Sequence, residues 1–328
     1  MSPPAAPRHG PLHPDTCEPL RRAAAAGDVR LAALSRGTYP GARLRGNTLP
    51  GVRSLGFWDA RRPQAWGLDW HHNEGLELTY VARGRLAFSV EGRPVPLRRG
   101  DLTVTRPWQI HRVGNPHVAA SELHWLILDV GVRRPNQRWR WPSWVLCEGQ
   151  ELAELTTILR RNEQPVWRAG GDVARAFLRL SGEVAAASPS MTRLRLGVNE
   201  LIVALRDLLR REAPRLDDTL TTSHRSVELF LAGLPGQLQQ PWTVDAMAQR
   251  CGLARSRFCQ LVRQVTNQSP VEHLTRCRVE AAARLLRQQR ELPVTAVAAA
   301  CGFQSSQYFA TVFRRHTGAA PLAWRAQA

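Results

Sequence analysis

The sequence contains no lysine, and all 45 of its basic side chains are arginine. In a chain that is also rich in alanine, proline and glycine, this indicates coding bias more than selection for guanidinium groups. The location of the charge therefore matters more than its total of +18. From residue 224 to residue 328, 13 arginines stand against 5 acidic residues, a surplus of +8 over 105 residues that is denser than in the rest of the chain. Such a surplus favours a surface that binds phosphates.

Paired cysteines and long apolar runs are also missing. The six cysteines form no CxxC pair and have no even spacing, which favours packed thiols in a reducing cytoplasm over metal ligands or disulfides. No run approaches 18 apolar residues, and the N-terminus lacks the apolar segment of a signal peptide. We therefore expect a cytoplasmic protein with no membrane partner. Neither a Ser/His/Asp or Cys/His nucleophile set nor a phosphate-binding glycine loop is discernible, so we expect no enzyme.

One motif occurs twice in the last hundred residues. Val244, Ala248, Cys251 and Gly252 recur 50 positions later as Val294, Ala298, Cys301 and Gly302. After one inserted residue, Val262, Asn267 and Pro270 match Phe313, Gly318 and Pro321 at an offset of 51. Each copy predicts a helix-turn-helix, because a short apolar helix precedes a glycine that permits the positive φ of a sharp turn, and an amphipathic helix follows.

The second helix of each copy, called the reading helix below, has one apolar and one polar face. The faces expected to be buried are Phe258, Leu261 and Val262 in the first copy and Tyr308, Phe309, Val312 and Phe313 in the second. The opposite faces carry Arg255, Ser256, Gln260 and Arg263, and Ser306, Gln307, Thr311 and Arg314, which are side chains that bond to base edges and phosphates. A bundle that binds protein would explain the apolar spacing but not a duplicated glycine turn with polar faces.

A third helix is predicted between the copies, from Pro270 to about Gln289. At its expected length of roughly 28 Å, it could hold the two reading helices about one DNA turn, ~34 Å, apart on one side of a duplex.

This C-terminal third resembles the DNA-binding domain of AraC/XylS-type transcription regulators. The matching residues are the paired Cys-Gly turns, residues 278–286, Gly302-Phe303, Tyr308-Phe309, Phe313-Arg314-Arg315, Gly318, Pro321 and Trp324-Arg325. The first copy departs from the family pattern at Val262, where Phe is usual, and at Asn267, where Gly is usual; the first change indicates a looser module. The resemblance implies double-stranded DNA as partner, with RNA polymerase as a further candidate.

The resemblance also implies roles for single residues. Base reading is assigned to Ser256, Cys259 and Gln260 in the first copy and to Ser306, Gln307 and Thr311 in the second. Apart from the resemblance, a DNA-binding function would assign phosphate contacts to Arg255, Arg257, Arg263, Arg314 and Arg315.

Strand signals dominate from about residue 52 to residue 130. Short alternating runs at 76–81, 85–90, 101–105 and 123–128 are separated by turns that contain glycine, and Glu91-Gly92 is a hairpin signal. Many short strands with evenly spaced glycines predict a jelly roll or barrel. Before them, residues 1 to about 20 are expected to be disordered and Leu20 to Leu34 helical.

Two motifs in this segment resemble those of cupins. They are His71-x-Asn73-x3-Glu77 followed by Gly84, and Gly100 followed by Pro107-x3-His111-x3-Asn115. Asn73 stands where metal-binding cupins have a second histidine, but His71, Glu77 and His111 could still form a two-His, one-carboxylate set for iron or zinc. The alternative is a barrel without metal that binds an organic effector, as in the sensor domains of AraC-type regulators. With or without a metal, the pocket is predicted to be lined by His71, Asn73, Glu77, His111, Trp70, Tyr80 and Trp108, with Trp66 and Trp125 as further walls. Surface packing of the tryptophans is the other explanation.

Three helices are predicted after the barrel, at 148–162, 173–187 and 191–212. In the last, Leu194, Val198, Leu201, Leu205 and Leu208 recur at heptad spacing. We expect this seam to form a homodimer contact; packing on the chain's own barrel is the alternative. The loop 131–144, rich in Trp, Pro and Arg, receives no role.

The predicted fold is α+β: an arm at 1–40, a cupin-like barrel at 45–147, a helical connector at 148–212, a linker at 213–223 and an all-α domain with two helix-turn-helix units at 224–328. The leading hypothesis is a ligand-responsive transcription regulator. The alternative is a metal-dependent cupin enzyme, a dioxygenase or isomerase, whose helical tail binds DNA or protein.

Overall fold

A computed structural model describes residues 17–326 of the chain. These residues divide into two compact units, 17–221 and 222–326, so that the boundary falls inside the linker expected at 213–223. Most of the segment expected to be disordered lies outside the described residues. No helix in the described range is both long and apolar enough to cross a membrane.

The N-terminal unit combines two β-sheets with four α-helices and ends in a 3-10 helix, Asp218–Thr221. Its elements are α1 (Glu18–Ala25), β1 (Arg30–Ser35), β2 (Ala42–Arg43), β3 (Val52–Ala60), β4 (Leu68–His71), β5 (Leu76–Leu86), β6 (Phe88–Val90), β7 (Arg93–Pro94), β8 (Leu97–Arg98), β9 (Asp101–Thr105), β10 (His111–Val113), β11 (Ser121–Leu128), α2 (Gly149–Arg161), β12 (Val166–Arg168), α3 (Gly171–Val184) and α4 (Met191–Glu212). The large sheet has the order β12-β9-β5-β11-β3-β1-β2, with β8 also paired to β5, and the small sheet has the order β4-β10-β6-β7. The expected hairpin at Glu91-Gly92 joins β6 to β7.

Strand β11 shows how the layers form. Its odd-numbered side chains, such as Trp125, belong to the core that also contains residues of the small sheet. Its even-numbered side chains, such as Leu126, belong to the core that contains residues of α2, α3 and α4. Because successive strand residues point to opposite faces, the large sheet is covered on both sides, which explains why β11 is buried at nearly every position. The α+β class is therefore as predicted.

The N-terminal boundary was predicted wrongly. The expected helix from Leu20 to Leu34 ends at Ala25, and residues 30–35 instead form β1, which pairs antiparallel with β3 from Arg30↔Asp59 to Ser35↔Ser54. The β-rich domain thus begins before residue 45, and residues 30–35 belong to it and not to a separate arm. Alanine favours helix locally, but pairing with a buried strand outweighs a propensity of a few tenths of a kcal/mol per residue.

The expected homodimer seam is also wrong. Leu194, Val198, Leu201, Leu205 and Leu208 are at most 2% exposed and pack in the core of their own unit. Helices α3 and α4 approach closely at Gly197, where an added Cβ would lie 2.7 Å from the Cδ2 atom of Leu180. The alternative, packing on the chain's own barrel, is confirmed. The connector is therefore part of the N-terminal unit, and its β12 even joins the large sheet.

The loop 131–144 fastens the helices to the sheets. Trp144 donates from Nε1 to the carbonyl oxygen of Pro50 at 2.8 Å, and Trp141 donates from Nε1 to Thr156 Oγ1 on α2 at 2.9 Å. The buried Asn199 of α4 donates to the carbonyl of Trp144 at 3.3 Å. The tryptophans of this loop serve packing and orientation within the unit.

The C-terminal unit consists of seven helices: α5 (Ser223–Gly233), α6 (Val244–Cys251), α7 (Arg255–Thr266), α8 (Pro270–Gln288), α9 (Val294–Ala300), α10 (Ser306–Thr317) and α11 (Pro321–Ala326). A 3-10 turn at 234–237 follows α5. One apolar core joins α5, α6 and α7, and another joins α8, α9, α10 and α11. Each predicted helix-turn-helix therefore has its own core.

A buried polar row fixes α3 on the large sheet. His124 of β11 hydrogen-bonds through Nδ1 to the hydroxyl of Ser181 and through Nε2 to Glu122 Oε1 at 2.9 Å. Sequence reasoning found no such Ser/His/acid set, because Ser181 lies 57 residues from the histidine. Ser181 is 7% and His124 1% exposed, so the hydroxyl has no access to a substrate and the row is structural. Burial lowers the pKa of His124 and outweighs the opposing effect of the Glu122 carboxylate.

Acidification should therefore destabilise the N-terminal unit through His124. Below the unfolded-state pKa of about 6.5, the unfolded chain binds a proton that the folded chain does not, which costs up to about 1.4 kcal/mol per pH unit. The variant His124→Gln should lose this part of the pH dependence between about pH 7.5 and about pH 5.5. Urea unfolding followed by tryptophan fluorescence measures it, since nine of the 11 tryptophans lie in this unit. The exposed His117→Gln is the control; an unchanged pH dependence in His124→Gln would contradict the assignment.

Candidate nucleic-acid interface and barrel pocket

The sequence repeat of the C-terminal unit is a structural repeat. Val244 and Val294 begin α6 and α9, and Cys251 and Cys301 are each 1% exposed. Further equivalent pairs are Ala248 and Ala298 in the two cores, Gly252 and Gly302 at positive φ, Asn267 and Gly318 as left-handed caps, and Pro270 and Pro321 at helix starts. Two helix-turn-helix modules with the same construction therefore follow one another along the chain.

The second glycine turn is held against the first module. Gly302 has a φ of +81°, and an added Cβ would lie 2.0 Å from the carbonyl oxygen of Leu238. That carbonyl accepts hydrogen bonds from Nε and Nη2 of Arg278 on α8, at 3.1 and 3.0 Å. Arg278 also donates to the carbonyl of Gln240 at 2.9 Å. Helix α8 thus binds the segment before α6 and borders the turn before α10, so the two modules are braced together.

The expected reading faces are accessible. Ser256 and Gln260 are exposed on α7, and Gln307 and Thr311 are exposed on α10, while Cys259 and Ser306 are half-buried. The five arginines assigned to phosphates are all exposed. One expected core residue is misplaced: Tyr308 is 57% exposed, because Phe303 and Phe309, with ring centroids 4.9 Å apart, fill the core beside it. Tyr308 therefore adds an aromatic side chain to the exposed part of α10.

Hydrogen bonds orient the two glutamines of the reading faces in a similar way. The side-chain oxygen of Gln260 accepts from Nη1 of Arg257 at 2.8 Å, and that of Gln307 accepts from the hydroxyl of Ser305 at 3.0 Å. Arg255 pairs with Asp245 at 2.9 Å, with both side chains more than 60% exposed. Such an exposed ion pair is weak enough for DNA phosphates to compete with it.

Aromatic rings from outside the motif complete the first module. Val262 is fully buried where Phe is usual, and Phe230 of α5 lies against Phe258 with ring centroids 6.0 Å apart. Phe230 also contacts Trp242 edge-on at 5.2 Å. Phe230 and Trp242 supply apolar volume to the first module in addition to that of its own two helices. The looser first module was predicted from Val262 alone, without these two residues.

The second candidate site is the interior of the N-terminal unit. His71, Asn73 and Glu77 line a cavity together with Tyr39, Trp58 and Trp125 among others. His111 contacts this group from behind, since its Nε2 lies 2.8 Å from Glu77 Oε2. The four polar residues predicted from the two cupin-like motifs are therefore brought together, with Trp125 as a wall.

Four of the five predicted aromatic walls are wrong, including Trp66, which packs edge-on against Trp58 with ring centroids 6.4 Å apart. Tyr80 faces away from the cavity and stacks on Phe177 of α3, because the strand alternation that turns Glu77 and Thr79 inward turns Tyr80 outward. Trp108 donates to Glu163 Oε1 at 2.9 Å, and Trp70 lies under the guanidinium of Arg112 at 4.8 Å. Tyr39 and Trp58 were missed, since they come from segments that carry no recognisable motif.

The polar group in the cavity is satisfied by its own hydrogen bonds. Tyr39 donates to Asn73 Oδ1 at 3.0 Å, and Thr105 donates to Glu77 Oε2 at 3.0 Å. Burial alone would raise the pKa of Glu77, but His111, His71 and Thr105 together lower it below its usual value. The free volume is about 40 Å³, far below the ~300 Å³ at which organic ligand sites begin. A ligand therefore requires the lining, which includes Leu20 of α1, to move.

The predicted metal set does not form. Within the described residues, no three His, Cys, Asp or Glu side chains are grouped so that they could hold a metal ion. Instead, Glu77 bonds to His111, and the Nδ1 atom of His71 lies 2.6 Å from the carbonyl oxygen of Asp69. All six cysteines are free thiols.

Two family models match the chain. A cupin domain matches residues 62–128 and a helix-turn-helix domain matches residues 247–327. The HTH-type transcriptional activator RhaR of Cronobacter sakazakii is 28% identical over 259 residues, covering 78% of this chain and 86% of that protein. The protein of that name in Escherichia coli is 25% identical over 257 residues, with the same coverage. A solved structure, the DNA-binding domain of AdpA in complex with a target DNA, is 31% identical, with a TM-score of 0.30, and covers 31% of this chain and 91% of that chain.

The brace at Gly302 predicts unequal costs for two matched glycine substitutions. Gly318→Ala places a Cβ in open space at a positive φ and should cost about 1–2 kcal/mol. Gly302→Ala has nearly the same φ, +81° against +79°, but also collides with the carbonyl of Leu238, and should cost more than about 3 kcal/mol. Urea unfolding measures the costs, and hydrogen exchange of residues 234–240 should rise only in Gly302→Ala. Equal costs with unchanged exchange would show that the brace is absent.

Proposed function

We propose that this chain, a transcription regulator of the AraC/XylS type, reads two successive segments of a DNA major groove with α7 and α10. The observation that carries the proposal is the repeat: two modules with separate cores, each with polar side chains on the exposed face of its second helix. The arginine surplus of the C-terminal unit supplies the positive field that attracts phosphates.

The proposal gives the exposed side chains different tasks. Ser256, Cys259, Gln260, Ser306, Gln307 and Thr311 discriminate bases, while Arg255, Arg257, Arg263, Arg314 and Arg315 bind phosphates. Glutamine is suited to base reading because its amide both donates and accepts in one plane, as the major-groove edge of adenine requires. Arginine contacts to phosphate fix the position of the protein on the duplex and carry no sequence information by themselves.

We assign the cavity around Glu77 to a small-molecule effector and not to catalysis. A buried polar cluster among aromatic side chains is typical of ligand sites, and this one must open before a ligand enters. Such a ligand changes the DNA-binding population only through its differential affinity for two states of the protein. RNA polymerase is a further proposed partner, and the cytoplasm, where DNA is accessible, is the proposed location. Formation of a homodimer remains a prediction, without the α4 seam as its contact.

Two substitutions should separate base reading from phosphate binding. Gln307→Ala should lose about 1–3 kcal/mol on a selected DNA site and relax the preference at particular base pairs, with little change on random DNA. Arg315→Gln should weaken binding to all sequences alike and reduce the salt slope of log K by about one. Binding titrations at several salt concentrations, on sites selected from genomic fragments, measure both effects.

The exposed Gln264→Ala on α7 is the matched control, since it removes the same amide from a position outside the predicted set. It should leave base preference unchanged. Equal losses on selected and random DNA for Gln307→Ala would contradict the assignment.

Metal content tests the barrel's role. Purified full-length protein should hold less than one equivalent of iron or zinc, because its polar cluster bonds internally. Metal analysis by mass spectrometry measures this, with His111→Ala for comparison. Stoichiometric metal that is lost in His111→Ala would instead support the metal-dependent enzyme.

A further inference from the structure

A fully buried arginine lies between the cavity and the end of α2. Arg106 is 2% exposed, and its guanidinium donates to the carbonyl of Leu159 at 3.1 Å, to that of Val104 at 2.8 Å and to that of Asn162. Burial lowers its pKa to about 10. Since the carbonyls at the end of a helix lack partners within the helix, Arg106 supplies the C-terminus of α2 with its hydrogen bonds.

The cavity is joined to Arg106 through a short loop. His111, which contacts Glu77 through Nε2, has its Nδ1 atom 3.0 Å from the carbonyl oxygen of Gln109. Gln109 is 1% exposed, and its side-chain oxygen accepts from the backbone nitrogen of Arg106 at 3.1 Å and from Nη1 at 3.4 Å. Thr105, the residue before Arg106, donates to Glu77. Any shift of Glu77 or His111 therefore acts on both ends of residues 105–111.

The same helix end is joined to the linker that follows α4. Asn162, whose carbonyl accepts from Arg106, donates from Nδ2 to the carbonyl of Arg215 at 3.1 Å. The backbone nitrogen of Asp217 donates to the carbonyl of Arg161 at 2.7 Å, and Arg161 pairs with Asp218 at 2.9 Å. These contacts hold residues 215–218, a few residues before the first helix of the C-terminal unit.

We propose that the loop 105–111 couples occupancy of the cavity to the order of the linker, with Arg106 as its positioning residue. The inference rests on the proposed function, because it supplies the regulation of that effector site. A ligand that carries a hydroxyl or ammonium donor competes with His111 for Glu77. Displacement of His111 moves the carbonyl of Gln109, and the end of α2 then releases the linker.

Dense packing favours two discrete arrangements of such a loop over gradual deformation. Arg106 is suited to this task because one rigid fork bonds to three carbonyls, so its partners move together or lose hydrogen bonds. A second contact runs beside it, since Trp108 of the same loop donates to Glu163 just after α2.

The test perturbs the cavity end and observes the linker in the full-length chain. Glu77→Gln removes the charge that His111 meets, and hydrogen exchange of residues 213–221 should rise about fivefold, the change expected for one hydrogen bond of ordinary net strength. In a Gln109→Met background, which lacks the acceptor for Arg106, Glu77→Gln should give no further rise. In a Gln109→Glu background, which keeps an acceptor oxygen, the response should return. Ser54 lines the same cavity but lies outside the loop. The control variant Ser54→Ala should therefore leave hydrogen exchange of the linker unchanged.

The proposal would be overturned if Glu77→Gln left hydrogen exchange of the linker unchanged, or if Glu77→Gln raised it equally in the Gln109→Met background. It would also be overturned if hydrogen exchange rose as much in β11 as in the linker, because that result marks a general loosening of the unit. The readout involves no DNA. Loss of base-specific binding would therefore refute the proposed function alone, whereas an unresponsive linker with intact DNA recognition would refute only this coupling.

Discussion

The contact between Gly302 and the carbonyl of Leu238 is the constraint on which the geometry of the C-terminal unit depends. A side chain of any size at this corner would meet backbone at 2.0 Å, so only glycine lets the second module approach the segment before the first. Arg278 uses the same carbonyl as an acceptor and thereby ties α8 to that segment. One helix thus determines the positions of both reading helices, which two independent modules on a flexible chain would not achieve.

In the N-terminal unit, the two-residue period of the strands has a comparable role. One side of β5 and β11 faces the cavity and the small sheet, and the other side receives α2, α3 and α4. Both faces of the large sheet are therefore covered by other elements of the same unit. The apolar side chains of α4 are buried in this packing. The cavity inside holds a small, already hydrogen-bonded polar cluster, so that the proposed ligand would bind only if the lining rearranged at the same time.

Much of this was predictable from local patterns. The duplicated glycine corner, the left-handed helix caps at Asn267 and Gly318, and the alternating runs of the strands carry enough information because each depends on neighbouring residues. The gathering of His71, Asn73, Glu77 and His111 was also predictable, through motifs that resemble cupins. The failures are non-local. The local sequence of the Ala-rich segment at 30–35 does not predict its pairing with β3. The heptad spacing of α4 likewise does not show whether its apolar side packs on α3 or on a second copy of the chain. The outward orientation of Tyr80 is a local feature as well. Tyr80 lies three residues after Glu77 on the same strand, so the two side chains point to opposite faces of the sheet.

Footprinting of a selected operator fragment tests the central claim most directly. If α8 holds α7 and α10 one helical turn apart, methylation protection should map two guanine-containing major-groove segments about 10 base pairs apart on one side of the duplex. Gln307→Ala should alter protection in only one of them. A single protected segment, or two on opposite sides of the duplex, would contradict the account.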